Sequence, residues 1–224
     1  MMTHKISPSM MCADFLDLRE VLDIFMDEGI DYLHIDIMDG HYVPNFGLSV
    51  DFCRAVHAYT RIPLDIHLMV DNPDDHVSSF APFRGAVFGF HPETSLDPPE
   101  TIRRVRNAGL RPALVLKPDI PLEKVKPFLN QIDLLNVLTV NPGYSGQPLV
   151  PGTIEKITEA AAWIAREDLP LEIEVDGNVS WKNLPVMLKA GATVFVAGTS
   201  SIFSRDGDLR AKLRRFRSLI EAHS

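Results

Sequence analysis

Residues 171–198, LEIEVDGNVSWKNLPVMLKAGATVFVAG, contain one complete unit of the predicted fold. A run rich in β-forming residues comes first and ends at Asp176, where Gly177 allows the chain to turn. Residues 181–190 then follow the 3.6-residue spacing of an amphipathic helix, and Gly191 stands where a left-handed residue would end it. A second apolar run follows at once. A strand, a helix and a strand in this order predict a parallel βαβ unit.

The same alternation runs through the rest of the chain, in which short β-rich runs precede longer amphipathic stretches. The predicted strands are Lys5–Ser9, Tyr32–Ile37, Leu64–Met69, Ala86–His91, Arg111–Leu116, Leu134–Val140, Leu171–Asp176 and Thr193–Ala197. The predicted helices are Phe15–Glu28, Val50–Ala58, Pro73–Phe80, Pro99–Ala108, Leu122–Leu129, Pro151–Glu167, Trp181–Ala190 and Leu209–Ala222.

Eight βα units in 224 residues favour a closed barrel over an open doubly wound sheet. The open sheet usually has fewer units and a glycine-rich turn after its first strand. The first strand here ends Ser7-Pro8-Ser9-Met10, without such a turn. We therefore predict an α/β protein with a single (β/α)8 TIM-barrel domain over residues 1–224.

Charge, cysteine content and apolar runs limit the expected binding partners and the expected cellular compartment. The formal charge of −8 disfavours nucleic acid and anionic membrane surfaces as partners. The two cysteines, Cys12 and Cys53, lack CxxC spacing and are expected to be thiols in a reducing compartment. Met1–Ile6 contains no apolar run of signal-peptide length, and no run is long enough to cross a bilayer. We expect a cytoplasmic protein. The sequence does not assign its oligomeric state, and a homo-oligomer is one of the alternatives.

Metal-ligand residues stand at the ends of three predicted strands, where barrels of this kind carry their chemistry. His34 and Asp36 are two residues apart in the second strand, so both side chains point to one face. The third strand offers His67, and the seventh ends at Asp176. Two imidazoles and two carboxylates at one rim predict a site for one divalent transition metal. Zinc is the first expectation, and Fe(II), Mn and Co also suit these ligands.

Two further polar side chains flank this set. Ser9 ends the first predicted strand and either hydrogen-bonds a substrate oxygen or caps the next turn; the sequence leaves both interpretations open. His91 ends the fourth predicted strand, and we favour a structural or supporting role for its imidazole.

Three loops at the same rim are rich in glycine and contain neither Lys nor Arg. They follow the sixth, seventh and eighth strands, at residues 141–147, 177–178 and 198–201. Ordinary βα turns have a similar composition, but the loops after strands 7 and 8 are adjacent in a barrel and often bind phosphate. Glycine lets backbone N–H groups approach phosphate oxygens, so we predict a phosphate site made from backbone amides.

Several motifs are spread, in order, over nearly the whole chain. They are Ser7-Pro8-Ser9, HIDIMDGHYVP at 34–44 followed by Asn45, DIHLM at 65–69, VNPG at 140–143, EVDG at 174–177 and VFVAG at 194–198. Together they resemble the ribulose-phosphate 3-epimerase family. The resemblance implies a barrel of the ribulose-phosphate-binding type and a carbohydrate isomerase that converts D-ribulose 5-phosphate to D-xylulose 5-phosphate, as in the pentose phosphate pathway.

The resemblance also implies a role for each residue of the site. Asp36 and Asp176 would be the acid/base pair, and they would bind one divalent metal together with His34 and His67. The residues that would contact the sugar phosphate are Ser9, His67, Gly143, Tyr144, Ser145, Gly146, Gly177, Asn178, Gly198 and Thr199. The residues that would line the floor of the site are Met38 and Met69.

The implied chemistry suits these residues. Inverting the carbon next to a ketone requires removal of a weakly acidic proton and its return to the opposite face, which two carboxylates can perform. The metal would bind substrate oxygens and stabilise the enediolate as a Lewis acid. Methionine side chains would provide a polarisable wall that contains little water.

Three positions depart from the usual family sequence. Leu138 replaces a methionine, Asn178 replaces a glycine and Lys117 replaces an asparagine. These changes leave the ligands and the acid/base pair intact, but they leave the substrate open. The runs HPET at 91–94 and GTS at 198–200 are closer to the allulose-6-phosphate 3-epimerase branch. Conversion of D-allulose 6-phosphate to D-fructose 6-phosphate is therefore the alternative reaction.

Other classes of function also compete. Lys117 stands at the end of the fifth strand, where a desolvated lysine could form an imine with a ketose phosphate, as in a Schiff-base aldolase. A non-catalytic barrel that only binds a sugar phosphate is a further alternative. Metal-dependent hydrolysis would use similar ligands but would release phosphate or a cleaved sugar.

Overall fold

Eight parallel strands form one sheet in the computed structural model, which describes residues 4–222. Residues 1–3, the start of the stretch Met1–Ile6, and residues 223–224 lie outside the described residues. The strands are β1 Lys5–Pro8, β2 Leu33–Met38, β3 Leu64–Met69, β4 Val87–Phe90, β5 Arg111–Leu116, β6 Leu134–Leu138, β7 Glu172–Asp176 and β8 Val194–Ala197.

The order of the strands closes this sheet almost completely. Each strand from β2 to β7 pairs with the strand that follows it in the chain. The last strand, β8, pairs with β1, where Ser7 lies opposite Val196. Between β1 and β2 the contact is reduced to a bridge from Ser9 to His34 and a hydrogen bond from the Tyr32 amide to the Ile6 carbonyl, 3.2 Å long. This topology confirms the predicted TIM barrel.

Helices connect the strands and cover the outside of the barrel. They are α1 Leu18–Asp27, α2 Val50–Tyr59, α3 Val77–Phe80, α4 Pro98–Asn107, α5 Thr153–Arg166, α6 Leu184–Ala190 and α7 Leu209–Glu221. Side-chain oxygens of Ser49, Asp97 and Asp208 accept hydrogen bonds from backbone amides in the first turns of α2, α4 and α7. Within residues 4–222, none of the helices combines the length and the apolar character that crossing a membrane would require.

One predicted helix is wrong in type. Residues Leu122–Leu129 were expected to form an α-helix, but the chain makes two 3₁₀ turns there, Leu122–Lys124 and Lys126–Gln131. Pro127 lacks the N–H that an α-helix needs at that position and its ring would clash with the preceding turn. Helices α1, α3, α5 and α6 also begin later in the chain than predicted, and a 3₁₀ turn, Pro73–His76, forms the first half of the predicted helix Pro73–Phe80.

Alternation along each strand separates an apolar outer layer from the barrel interior. In β2, Leu33 and Ile35 are fully buried in the core between the sheet and the helices, whereas His34 and Asp36 point inward. A separate interior cluster fills the amino-terminal half of the barrel; its members are Tyr32, Val87, Ala113, Leu134 and Val194. The inward-facing polar side chains therefore occupy the other half, at the carboxyl ends of the strands.

Four hydrogen-bonded polar side chains close the amino-terminal end of the barrel. We call this set the barrel base, and its members are Lys5, Tyr32, Arg111 and Glu172. The Glu172 carboxylate accepts hydrogen bonds from Lys5 and from Arg111, the latter at 2.9 Å. Both cations also donate to the Tyr32 hydroxyl and lie near its ring, 5.1 and 5.8 Å from the centroid. Each side chain of the barrel base therefore has a polar partner within the set.

Candidate active site

Four side chains from β2, β3 and β7 meet at the carboxyl end of the barrel. The Nε2 atom of His34 lies 3.3 Å from Asp36 Oδ1 and 3.6 Å from Asp176 Oδ2. The Nδ1 atom of His67 lies 3.4 Å from Asp36 Oδ1 and 3.6 Å from Asp176 Oδ2. Each ring nitrogen thus lies close to both carboxylates. The structure brings together all four residues that the sequence placed at strand ends.

The two histidines present an unpartnered nitrogen to this cluster. The Nε2 atom of His34 and the Nδ1 atom of His67 are buried and make no hydrogen bond of good geometry. Their other nitrogens are engaged, because His34 Nδ1 lies 2.7 Å from Asp65 Oδ2 and His67 Nε2 lies 3.0 Å from His91 Nε2. A buried nitrogen without a partner is costly, and these two are directed at one point. The four ligand atoms lie within 4.8 Å of one another, which suits a metal ion.

The electrostatics of the cluster also favour a divalent cation. Burial alone would lower the pKa of His34, but the charges of Asp65 and Asp36 outweigh it and hold that pKa well above its usual value. Burial is likewise outweighed at His67 by Asp176 and Asp36, so its pKa is raised. Burial would raise the pKa values of Asp36 and Asp176, yet the neighbouring histidines lower both. The two carboxylates thus attract two protons to the imidazoles, and one divalent ion would supply the same positive charge.

A buried polar network supports His34 from beneath. Ser7 donates to Asp65 Oδ2 at 2.8 Å, and Asn136 donates to Glu174. Burial, followed by the charge of Asp65, raises the pKa of Glu174 well above its usual value, which favours the protonated carboxyl. Sequence reasoning assigned no role to these residues. The available signal was the two-residue spacing from Asp65 to His67 and from Glu174 to Asp176, which places all four on inward faces.

A cavity opens above the cluster. The residues of the sequence prediction that line it are Ser9, Asp36, Met38, His67, Met69, Gly143, Tyr144, Ser145, Gly146, Asp176, Gly177, Asn178, Gly198 and Thr199. The fully buried His34 lies beneath it. The cavity also includes Leu138 and Ser200.

Two lining residues next to Ser9 were not predicted to belong to the site. Met11 packs against the cluster that contains Met38 and Met69, and it adds a methionine from the loop after β1. Cys12 is partly buried and lines the same cavity. Their position directly after the first predicted strand was a signal that sequence reasoning did not use.

Ser9 is directed at one of the carboxylates. Its hydroxyl donates to Asp36 Oδ2 at 3.4 Å and makes no capping bond to the 3₁₀ turn that follows. The two oxygens of Asp36 therefore have different surroundings, with Oδ1 toward the histidines and Oδ2 toward Ser9. This contact restricts the orientation of the Asp36 carboxylate.

The glycine-rich loops surround the opposite side of the cavity. Gly143, Gly146 and Gly177 have φ values of 111°, 78° and 107°, which favour glycine. A Cβ atom at Gly177 would also lie 2.5 Å from a methyl carbon of Val140. The turn after Asp176 therefore requires glycine, and it allows the backbone to approach the cavity closely.

Lys117 has a different environment from that of a Schiff-base lysine. Its Nζ lies 3.2 Å from Glu93 Oε1 and 5.5 Å from the centre of the Tyr42 ring. The lining residues of the cavity do not include it. The lysine is thus paired with a carboxylate beside the site, and the geometry gives the aldolase alternative no support.

The family model for the ribulose-phosphate 3-epimerase family matches residues 5–203. The chain belongs to the ribulose-phosphate 3-epimerase family. It is 37% identical to ribulose-phosphate 3-epimerase 1 of Cupriavidus necator, over 91% of this chain and 86% of that protein. It is 39% identical to the cytoplasmic isoform of the rice enzyme, over 94% of this chain and 93% of that protein. The protein is therefore a carbohydrate isomerase of the epimerase type.

Solved structures show the same fold at low sequence identity. KGPDC from Streptococcus mutans superposes with a TM-score of 0.70 over 99% of both chains, at 11% identity. The 3-hexulose-6-phosphate synthase from Salmonella typhimurium gives a TM-score of 0.65 and 14% identity, over 98% of this chain and 100% of that one. At such identities the likeness establishes the barrel, while membership of the epimerase family rests on the sequence relatives.

Proposed function

We propose that this member of the family is a metal-dependent epimerase that inverts C3 of a ketose phosphate. D-ribulose 5-phosphate, converted to D-xylulose 5-phosphate, is the first substrate. The observation that carries the proposal is the meeting of Asp36 and Asp176, from strands on different sides of the barrel, at one cavity. Both carboxylates lie within 3.6 Å of the same two imidazole nitrogens. Metal-dependent hydrolysis with similar ligands would instead release phosphate or a cleaved sugar.

The metal would be held by His34, Asp36, His67 and Asp176. The unpartnered ring nitrogens and the two carboxylates form a mixed set of nitrogen and oxygen donors, which zinc, Fe(II), Mn and Co all accept, with zinc first. When bound, the ion would act as a Lewis acid toward the oxygens of the substrate. Asp65 and His91 would hold the two ring planes through the far nitrogens of His34 and His67.

Proton transfer would be the work of the two carboxylates. One of them, ionised, would take the C3 proton from one face of the sugar, while the other, protonated, would give a proton to the opposite face. After one turnover the pair still carries one proton, but the proton is now on the other carboxylate. The reverse reaction starts from that state. The hydrogen bond from Ser9 would keep Asp36 in place during both steps.

The loops after β6, β7 and β8 would hold the phosphate. They contain no cationic side chain at residues 141–147, 177–178 and 198–201, so backbone amides would supply the donors. Met11, Met38 and Met69 would form the apolar floor below the sugar. Leu138 lines the cavity where the family usually has another methionine, and it preserves an apolar wall.

The length of the sugar is the open part of the proposal. The runs 91–94 and 198–200, which are closer to the allulose-6-phosphate branch, both lie at the mouth of the barrel. D-allulose 6-phosphate, converted to D-fructose 6-phosphate, is therefore the second candidate. We place the reaction in the cytoplasm, in keeping with the rice relative, whose name describes a cytoplasmic isoform.

A proton-exchange experiment tests the proposal. The protein is stripped with a chelator, reloaded separately with Zn, Mn, Co or Fe(II), and incubated in deuterated water with each of the two sugars. We expect metal-dependent entry of deuterium at C3 together with the 3-epimer, and the faster sugar identifies the substrate. Absence of exchange with both sugars in all metal forms would refute the proposed reaction, and sugar binding without exchange would indicate the non-catalytic alternative.

A further inference from the structure

Asn178 adopts a backbone conformation that glycine would adopt at less cost. Its φ is 45°, in the left-handed region, directly after Gly177 at 107°. Asparagine tolerates this region better than most residues, but glycine is the unstrained choice. The side chain of Asn178 offsets this cost with hydrogen bonds that a glycine at the same position would lack.

The carboxamide of Asn178 is fixed at both ends. Its Nδ2 donates to the backbone carbonyl of Gln147 at 2.8 Å. Asn183, at the start of α6, donates from its own Nδ2 to Asn178 Oδ1 at 3.1 Å and to the Asn178 carbonyl at 3.0 Å. One side chain thus connects the turn after β7, the loop after β6 and the first turn of α6.

The loop after β6 is otherwise held on its opposite side. Asn45, from the loop after β2, donates to the Gly143 carbonyl at 2.7 Å, and the Tyr144 hydroxyl donates to the Pro44 carbonyl at 2.6 Å. The segment 143–147 is thus held by these contacts at its start and by Asn178 at its end. It contains two glycines of positive φ, so it has much conformational entropy to lose on becoming ordered.

The Gln147 side chain closes this segment on itself. Its Nε2 donates to the Tyr144 carbonyl at 2.9 Å and to the Asn141 carbonyl. Because Asn178 binds the carbonyl of the same glutamine, it holds the whole closed segment against the turn after β7. Both segments line the cavity where the phosphate site is proposed.

We propose that Asn178 is a positioning residue that joins the loop after β6 to the turn after β7 and so preorganises the phosphate-binding loops. This inference rests on the proposed function. A loop that is already in its binding conformation loses less entropy when the phosphate arrives, so the tie strengthens substrate binding. It leaves the chemical step unchanged, since the carboxylates are held by strands. One neutral hydrogen bond corresponds to an effect of about three- to tenfold on KM.

The decisive variant is Asn178→Gly, which removes the tie and relieves the backbone at the same time. In the zinc-loaded enzyme we expect KM for the sugar phosphate, and the inhibition constant of inorganic phosphate, to rise about three- to tenfold with kcat nearly unchanged. Asn178→Asp keeps the shape, loses the donor and adds a negative charge, so it should raise KM further. Asn183→Ala leaves the bond to Gln147 in place and should have a smaller effect than Asn178→Gly.

An exposed asparagine away from the cavity provides the control. Asn130→Ala should leave KM and phosphate inhibition unchanged. Unchanged KM and phosphate inhibition in Asn178→Gly would overturn the proposal, and so would a fall in kcat at constant KM, which would place Asn178 in the chemistry of Asp176. If the wild type turns over neither sugar, the proposed function fails, and calorimetric titration with inorganic phosphate still decides whether the tie strengthens anion binding.

Discussion

The two ends of the barrel both contain clusters of charged side chains, but the clusters differ in how their polar atoms are satisfied. At the barrel base, Glu172 lies between Lys5 and Arg111, and each group has a protein partner. At the mouth, His34 and His67 are more deeply buried, yet each keeps one nitrogen without a hydrogen bond. The base therefore stabilises the fold with its own residues, whereas the mouth is arranged to receive something from outside.

This difference separates stability from function along a single axis. Strands begin at the base and end at the mouth, so the same strand β7 supplies Glu172 to one cluster and Asp176 to the other. The apolar residues Val87, Ala113, Leu134 and Val194 lie between them. Substitutions at the two ends should therefore have effects that can be measured independently.

Replacing either carboxylate of the mouth should have the largest effect. Asp36→Asn and Asp176→Asn each remove a proton-transfer group, so turnover should fall about 10²- to 10⁴-fold. Steady-state assays with the preferred sugar measure this, with circular dichroism to check folding. Exchange of the C3 proton with deuterated solvent can survive in one variant, because one face is still served. Near-normal turnover in either variant would disprove the two-carboxylate mechanism.

Removing the metal should destabilise the mouth without disturbing the base. A ligand that binds only the folded state at about 100 times its Kd adds about 2.7 kcal/mol to the free energy of unfolding. Zinc added to the chelated protein should therefore raise Tm in scanning calorimetry. His67→Ala serves as the control and should reduce this increase. An equal Tm with and without zinc would mean that the four residues do not hold the ion.

Glu172→Gln at the base should lower stability and leave catalysis intact. The carboxylate is 19% exposed and binds two cations that would then face each other, so the loss should be about 1–2 kcal/mol. Urea unfolding measures this, and kcat should equal that of the wild type. The control is Glu100→Gln, whose more exposed pair with Arg103 should contribute less than about 0.5 kcal/mol. Equal losses in both variants would contradict the structural role of the base.

The smallest expected effect is a difference in pH dependence between the two ends of the metal-free protein. The pKa values of His34 and His67 are raised, so their stabilisation is complete below the usual value of 6.5 and is lost as pH rises through the folded values. At the base the pKa of Lys5 is raised from 10.5, so its contribution is lost only in stronger alkali.

Unfolding by urea at several pH values between 5 and 9 tests this dependence. Stability of the metal-free protein should decline as pH rises above the usual histidine range. Zinc should abolish the decline, because a metal ligand must be a neutral imidazole. A pH profile that is the same with and without zinc would show that the two histidines do not control stability in this range.

Much of the fold and of the candidate metal site could be predicted from local sequence. The period of two in β2 placed His34 and Asp36 on one face, and strand ends located His67 and Asp176. The barrel itself followed from the repeated alternation of strands and helices. These features depend on near neighbours in the chain, which a single sequence displays directly.

The parts that sequence reasoning missed depend on contacts between distant segments. The network of Ser7, Asp65 and Glu174 exists because the inward faces of β1, β3 and β7 meet inside the barrel. The sequence of one strand does not reveal which of its residues lie level, along the barrel axis, with residues of another strand. The bond from Asn178 to Gln147 likewise joins two loops whose conformations had to be known first. The wrong prediction of an α-helix where Lys126–Gln131 forms 3₁₀ turns has a different cause. Pro127 is a local signal against an α-helix, and the prediction did not take it into account.

The register between β2 and β3 has a consequence for how such a protein can change over generations. Asp36 lies directly opposite His67 in the paired strands. Loss or gain of one residue within either strand would turn Asp36 or His67 toward the helices, so length changes there should eliminate activity in a single step. The loops after β6, β7 and β8 lie outside this register, so extra residues in them would leave the strand side chains on their present faces. Lineages with new sugars should therefore differ by insertions in the loops, on an inherited and unbroken frame of strands.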